Sequence, residues 1–229
     1  MSDALLNILF RDETLIAVDK PCGLLVHPGR EPEDKCWIAM KVLRDQLGQR
    51  VYTIHRLDRP TSGVLLYSLD EPTADAMRAL FEARQVRKQY LAVVRGCAPE
   101  HWENETPLQK SPEEKIKASR TTFRRLAHCS SGTFPLMPDL DLSLVEAQPY
   151  TGRHHQIRRH LAMDGFPILG DYLYAEVEDN DRMAAATGIT RMMLLAQNLS
   201  FVHPYTGEPI SITAPLPDAF KKVAAGSPA

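Results

Sequence analysis

The chain has 229 residues, of which 44% are hydrophobic and 24% are charged, as in an ordinary soluble globular protein. No apolar run is long enough to span a membrane, and no signal peptide is evident at the start. The four cysteines are widely spaced without a C-x-x-C pair, which argues against a zinc site or a disulfide framework and favours a cytoplasmic protein. The formal net charge of −2 argues, by itself, against a nucleic-acid partner.

The distribution of charge indicates something different from the total. Basic side chains gather in the stretches 84–95, 120–125 and 153–159, whereas acidic side chains collect elsewhere. If the fold brings the basic stretches together, the protein has a cationic face despite its near-neutral total. A run of charges is more often only a solvated face, so this pattern needs support from a motif.

In chain order, the first half alternates short strands with helices. The pattern predicts strands over 7–10, 15–19, 64–69 and 89–95, a helix from Trp37 that ends at Gly48, and a helix from Asp70 to about Arg84. Asp70 is a good N-cap, and Gly48 suits the position after a helix end.

The second half is richer in strands. The polar segment 99–119 contains two prolines and is predicted to be a loop or a peripheral excursion. Strands are predicted over 121–126, 140–148, 192–202 and 210–213, and a helix over 155–163. The whole pattern predicts an α+β fold with a mixed, largely antiparallel sheet flanked by helices.

The run from His55 to Gly63, HRLDRPTSG, carries the strongest chemical signal. It places one carboxylate, Asp58, between Arg56 and Arg59 at the start of a tight turn. Nearby cations favour the ionised form of a carboxylate, so Asp58 suits a nucleophile or a base better than a proton donor. The alternative is that Asp58 only caps the turn and pairs with a surface arginine.

Two other segments stand out. The strand KQYLAVVRG opens with Lys88 and contains Tyr90, although an isolated tyrosine at a strand start is usually a packing residue. The segment TGRHHQIRRHL, from Thr151 to Leu161, enters a helix with cationic side chains that oppose the helix dipole. This misfit indicates that the charges are held for an anionic ligand or for a buried carboxylate.

Together these segments resemble the RluA-type pseudouridine synthases. That family carries H-R-L-D-x-x-T-S-G, K-x-Y and T-G-R-x-H-Q-[IL]-R-x-H-[LM], and the stretches DKPCGLLVH at 19–27, PILGD at 167–171 and HPYTGEP at 203–209 match as well. The resemblance covers nearly the whole chain, 1–229, as one catalytic domain, and we expect no S4-like RNA-binding domain. Arg59-Pro60, Arg159 and the HPYTGEP stretch look most like the TruC branch, which modifies uridine 65 of tRNA.

The resemblance implies a role for individual residues. Asp58 would be the catalytic aspartate, Tyr90 would stack on the uracil and help to remove the C5 proton, and Arg158 would pair with the aspartate. Arg56 would help to hold the flipped nucleotide. The remaining candidates for binding substrate are Arg59, Lys88, Arg153, Gln156 and Arg159.

The implied reaction breaks the C1′–N1 bond of uridine, rotates the uracil and rejoins it through C5. No electron, phosphate or acyl group moves, so no cofactor is expected. The carboxylate could attack C1′ or C6, or take a proton from C2′, and the sequence does not choose among these routes.

The expected partner is RNA, with tRNA favoured and an rRNA or dual-specificity substrate as the alternative. No membrane partner is expected, because no apolar run is long enough to span a membrane. No metal is expected either, because His154, His155 and His160 lack the spacing of metal ligands. The sequence leaves the oligomeric state open. Two rival classes are a glycoside hydrolase, which usually needs a second acid such as Asp171 or Asp19, and a non-catalytic RNA-binding protein on the same fold.

Overall fold

The structure, a computed structural model, describes residues 5–27, 38–130 and 140–224. The chain divides into two compact units. Unit 1 comprises Met1–Lys88 and Ala196–Pro215, and unit 2 comprises Gln89–Leu195 and Leu216–Ala229. Nothing in the described ranges is a helix long and apolar enough to cross a membrane.

Ten strands and five helices occupy the described ranges. In chain order they are β1 (Asn7–Arg11), β2 (Leu15–Lys20), α1 (Ala39–Leu47), β3 (Tyr52–Thr53), β4 (Ser62–Ser68), α2 (Glu71–Glu82), β5 (Arg87–Arg95), β6 (His101–Asn104), β7 (Thr121–Cys129), β8 (Leu142–Pro149), α3 (Gln156–Met163), α4 (Val177–Thr187), β9 (Leu194–Val202), β10 (Pro209–Thr213) and α5 (Asp218–Ala224).

Unit 1 is built around β4, whose seven residues are all buried. In this unit β2 pairs antiparallel with both β1 and β4, β3 pairs antiparallel with β4, and β10 with β9. Because the strand is buried on both faces, its centre, Val64-Leu65-Leu66, is a continuous apolar run and does not alternate with polar residues. The buried strand fixes the end of the loop that carries Asp58.

Unit 2 is built on antiparallel pairs in the order β5, β8, β7, β6. Val93 and Val94 of β5 and Val145 of β8 are fully buried, and they form the centre of its core. The antiparallel pairings and the helices between strands confirm the predicted α+β class with a largely antiparallel sheet.

The predicted end of α1 and the predicted start of α2 are confirmed, whereas the predicted start of α1 at Trp37 lies outside the described residues. Gly48 follows α1 in the left-handed conformation, with φ of 66°. The Asp70 carboxylate accepts a hydrogen bond of 2.8 Å from the Thr73 amide and caps α2. The chain then leaves α2 through Arg84, which has a positive φ of 60°.

The loop prediction for 99–119 is wrong at its start, where β6 pairs with β7. The aromatic ring of Trp102 stacks on Phe123 of β7 with ring centroids 4.8 Å apart, and its indole NH donates to Asp164. Packing of this one aromatic residue outweighs the polar composition of the segment. From 105 to 119 the structure has a single bridge, between Leu108 and Lys117, and no longer strand or helix.

Gly63 is the last residue of the HRLDRPTSG motif that contains Asp58, and it is already part of β4. Its φ is 105°, and a Cβ placed there would lie 2.3 Å from the backbone oxygen of Ala196 in β9. No side chain fits so close to a backbone oxygen, so only glycine is compatible with this position.

We therefore predict that Gly63→Ala destabilises the protein by about 3 kcal/mol or more, because both the clash and the positive φ are unfavourable. Urea unfolding followed by circular dichroism measures the change. Gly188→Ala is the matched control, because Gly188 has φ of 70° but no atom within 4 Å of the added Cβ. It should cost only about 1–2 kcal/mol. Equal losses in the two variants would contradict the close-approach argument.

Candidate functional site

The loop that carries Asp58 connects β3 to β4 in unit 1 and is held by a buried lysine. Lys20 is fully buried, and its ammonium group donates to the carbonyl oxygens of Pro21 at 2.9 Å, Leu24 at 2.8 Å and Arg59 at 3.1 Å. A buried ammonium needs such acceptors, because burial without them is very costly. The residue after Asp58 is therefore fixed to the 20–24 turn.

Further bonds fix the same loop from both sides. The Gly23 amide donates to the Arg59 carbonyl at 2.9 Å, and the Arg59 Nε donates back to the Gly23 carbonyl at 3.0 Å. The Thr61 amide donates to the Asp58 carbonyl at 3.0 Å and closes a tight turn. The side chain of Asp58 is half-buried and those of Arg56 and Arg59 are exposed, so this edge of the loop faces outward.

His55 fixes the other end of the loop. Its Nε2 accepts a hydrogen bond from the Leu66 amide at 3.0 Å, and its ring stacks on Phe81 with centroids 4.9 Å apart. Burial, helped by the charge of Lys88, lowers the pKa of His55 to about 3. The ring is therefore neutral near pH 7, and it acts as a structural acceptor.

Lys88 lies at the start of β5 with its side chain half-buried. Burial, together with the nearby charge of Arg84, lowers the pKa of the Lys88 ammonium to about 8. Its charge is thus more easily lost than that of an ordinary lysine. Tyr90 lies two residues further along β5, opposite Ala147 of β8, and is also half-buried.

Arg158 of α3 is held by a buried carboxylate within unit 2. Its Nε and Nη2 donate to the two oxygens of Asp171 at 2.7 Å and 2.8 Å. Arg158 is 5% exposed and Asp171 is 1% exposed. This bidentate geometry confirms one of the two explanations predicted for the cationic helix start, a buried carboxylate.

The Arg158–Asp171 pair belongs to a larger polar cluster. Asp171 also accepts the backbone amides of Leu173 at 3.0 Å and Tyr174 at 3.3 Å. The Arg158 guanidinium lies 5.0 Å from the centroid of the Tyr174 ring, whose hydroxyl is 3.0 Å from Nδ1 of His155. In the sequence, Asp171 is marked by the PILGD stretch, of which it is the last residue.

Gln156 begins α3 and is 4% exposed. Its Nε2 donates to the Arg120 carbonyl at 3.0 Å and the Thr121 hydroxyl at 2.9 Å. Its Oε1 accepts the Thr151 hydroxyl at 2.7 Å and the Arg153 amide at 3.0 Å. These contacts argue against the expected direct role of Gln156 in binding substrate, because the buried amide is occupied in joining β7 to α3.

Arg153 and Arg159 hold the 105–119 segment beside α3. Arg153 Nε donates to the Ala118 carbonyl at 3.1 Å, and Arg159 Nη1 donates to the Gln109 carbonyl at 2.7 Å. Carbonyl oxygens do not neutralise a guanidinium charge, and neither arginine pairs with a carboxylate among the described residues. Both side chains are half-buried, so their charge remains available at this surface.

The histidines of this region are engaged with protein groups. His160 is fully buried, with Nδ1 3.0 Å from the Thr121 hydroxyl and Nε2 3.0 Å from the Thr106 carbonyl. Burial lowers its pKa. Within the ranges that the structure describes, no group of three or more His, Cys, Asp or Glu side chains could hold a metal ion.

The contacts thus fix the loop that carries Asp58 in unit 1 and the helix that carries Arg158 in unit 2. Comparison with known proteins identifies the class. The profile of the RNA pseudouridylate synthase family matches residues 14–163, a range that includes Asp58, Tyr90 and Arg158. The chain belongs to this family, and it is an RNA pseudouridine synthase, an isomerase.

Individual relatives are also similar over most of their length. The "tRNA pseudouridine synthase C" of Haemophilus ducreyi is 42% identical over 222 residues, covering 91% of this chain and 90% of that protein. The protein of the same name from Pasteurella multocida is 41% identical over 224 residues, with the same coverage. Among solved structures, "Human RNA Pseudouridylate Synthase Domain Containing 1" is 26% identical with a TM-score of 0.78, covering 100% of this chain and 91% of the human one.

Proposed function

We propose that this enzyme converts a uridine of tRNA to pseudouridine, and that the uridine is number 65. The observation that carries the proposal is the 42% identity to a tRNA pseudouridine synthase C together with the intact HRLDRPTSG motif around Asp58. We further propose that the catalytic domain spans residues 1–229 and that the 105–119 segment contributes to the choice of RNA.

In this proposal Asp58 is the catalytic carboxylate. Its loop is held by Lys20, Gly23 and His55, so little reorganisation is needed when a nucleotide arrives. The carboxylate attacks C1′ or C6 of the uridine, or takes the proton from C2′, and all three routes need it ionised. The rearrangement conserves electrons and needs no cofactor.

Arg158 and Tyr90 complete the proposed catalytic set. Arg158 supports the negative charge of Asp58 during the reaction, and its orientation is fixed by Asp171. Tyr90 offers its ring to the uracil, and stacking of a base on an aromatic ring contributes about 1–3 kcal/mol. It also helps to remove the proton from C5 before the aromatic uracil is restored.

Cationic side chains hold the RNA backbone in this proposal. They are Arg56, Arg59, Lys88, Arg153 and Arg159. A target base must leave its helix to reach an active site, which costs a few kcal/mol of unstacking, and contacts to phosphate offset that cost. We place the reaction in the cytoplasm, in keeping with the free thiols of Cys22, Cys97 and Cys129.

The glycoside hydrolase alternative is disfavoured by the contacts of Asp171. A hydrolase needs a second acid that donates a proton to the leaving group. Asp171 instead accepts two hydrogen bonds from a guanidinium and two from backbone amides. These four donors favour the ionised form of Asp171, which has no proton to donate. Among the residues that the structure describes, no contact favours rRNA over tRNA, so the two substrates are compared by experiment.

Our first functional prediction concerns tritium released from RNA labelled at uridine C5. The native protein should release tritium from unmodified tRNA transcripts but not from rRNA transcripts. Asp58→Asn should lower the rate by about 1,000-fold or more, because the amide is neither a nucleophile nor a base.

The control variant is Asp218→Asn, which removes the same charge from a side chain that is 87% exposed and should keep full activity. Tritium release from rRNA would show that the proposed substrate is wrong and would leave the proposed mechanism in place. Free uracil in place of pseudouridine would indicate a hydrolase. RNA binding without tritium release from either substrate would contradict the enzymatic proposal.

A second prediction follows from the lowered pKa of Lys88, about 8. If its ammonium contacts phosphate, tRNA binding is strongest below pH 8 and weakens above it, as the amine loses its proton. We expect the Kd measured by filter binding to rise about three- to tenfold between pH 7 and pH 9. Lys88→Arg stays charged throughout this range and should show a flat profile. Identical pH profiles of Kd for the native protein and Lys88→Arg would show that Lys88 does not contact the RNA.

A further inference from the structure

Unit 1 contains a cationic pocket that none of the roles above uses. It has a volume of about 300 Å³ and lies between α1, the chain that follows α1, β3 and α2. Four basic side chains line it, namely Lys41, Arg44, Arg50 and Arg78, beside the ring of Tyr52. Arg44 and Arg78 each have an acidic partner, whereas Arg50 pairs with no carboxylate of the described residues, so a cationic group remains at the pocket to attract an anion.

Hydrogen bonds to the backbone hold one of the lining side chains, Arg78. Arg78 of α2 donates from Nε at 3.2 Å and from Nη2 at 2.7 Å to the carbonyl oxygen of Thr53 in β3. Its Nη1 pairs with Asp75 at 2.6 Å, and the Asp75 side chain is 70% exposed. The pair therefore lies in solvent, where an ion pair is weak, and it offsets the charge of the pocket only in part.

Arg50 is the side chain best placed to bind a ligand. Its guanidinium lies 4.9 Å from the centroid of the Tyr52 ring, which holds the group by a cation–π contact. Arg50 forms no ion pair with a carboxylate of the described residues, whereas Arg44 pairs with Asp45 at 2.7 Å. A guanidinium lying on an aromatic ring keeps its N–H groups available for a planar oxyanion such as phosphate.

The position of the pocket in the chain favours RNA over a small free anion. Thr53 precedes Asp58 by five residues, so their Cα atoms are at most about 18 Å apart. In a polynucleotide with one uridine at Asp58, the backbone supplies a phosphate at every nucleotide, so phosphates of neighbouring nucleotides lie within this range of distances from Asp58.

On the basis of the proposed function, we infer that this pocket binds a backbone phosphate of the RNA substrate, with Arg50 as the principal ligand. It is a second anchor for the RNA, formed by α1, β3 and α2, and it contributes to affinity rather than to chemistry.

Filter binding of a tRNA transcript at several salt concentrations tests this inference, with Arg50→Gln, Arg50→Lys and Lys221→Gln as variants. For Arg50→Gln we expect Kd to rise about 5- to 20-fold at 150 mM salt, and the salt dependence of log Kd to fall by about one unit of slope. Arg50→Lys should keep the slope, because the charge remains. Lys221→Gln removes one cation from an exposed position of α5 and should change neither quantity.

Pseudouridine formation at saturating tRNA should stay within about twofold of the native rate in Arg50→Gln. A native Kd and a native salt dependence in Arg50→Gln would overturn the inference, as would an equal loss of affinity in Lys221→Gln.

A third measurement uses inorganic phosphate alone. If phosphate raises the melting temperature of the native protein but not of Arg50→Gln, while tRNA affinity is unchanged, the pocket binds a free anion and the RNA inference is wrong. If the native protein binds tRNA but forms no pseudouridine, the proposed function fails while the binding comparison still decides the role of the pocket.

Discussion

The buried charge of Arg158 is the constraint on which the arrangement of α3 and the 171–174 segment in unit 2 depends. A guanidinium that is 5% exposed must be paired, and removing the partner of a buried ion pair typically costs about 3–5 kcal/mol. Asp171 is that partner, and it is itself fixed by the amides of Leu173 and Tyr174. Asn180 of α4 donates to the Asp171 carbonyl at 3.1 Å, so the pair joins α3 to α4.

The Asp58 loop in unit 1 follows the same physical principle with different chemistry. There a buried ammonium, that of Lys20, is satisfied by three carbonyl oxygens, and one of them belongs to the residue after Asp58. In unit 1 the buried cation fixes the backbone next to a proposed functional residue, and in unit 2 the buried cation is itself the proposed functional residue and is fixed by a carboxylate. Such preorganisation matters for catalysis because a group already in position needs no reorganisation when charge develops.

Features that depend on neighbouring residues could be predicted from the sequence. Contacts between residues that are distant in the sequence could not. The Asp70 cap and the end of α1 at Gly48 depend on adjacent residues, and both were predicted correctly. Asp171, which binds Arg158, lies 13 residues away in a loop. The charge pattern indicated a buried carboxylate or an anion and the resemblance indicated Asp58, and neither identified Asp171. Likewise β6 depends on packing of Trp102, and the Arg50 pocket depends on three elements that meet only in the fold.

The most direct test of the account is the single-turnover rate of pseudouridine formation in Asp171→Asn, measured with saturating tRNA at a temperature where circular dichroism shows the variant folded. If Asp171 positions Arg158 for the reaction, the rate should fall about 100-fold, as expected for a misplaced catalytic group. The Kd for tRNA should stay within about threefold of the native value, since no phosphate contact is lost. Asp171→Glu, which keeps the charge, should recover part of the rate. A native rate in folded Asp171→Asn would contradict the central role of the buried pair.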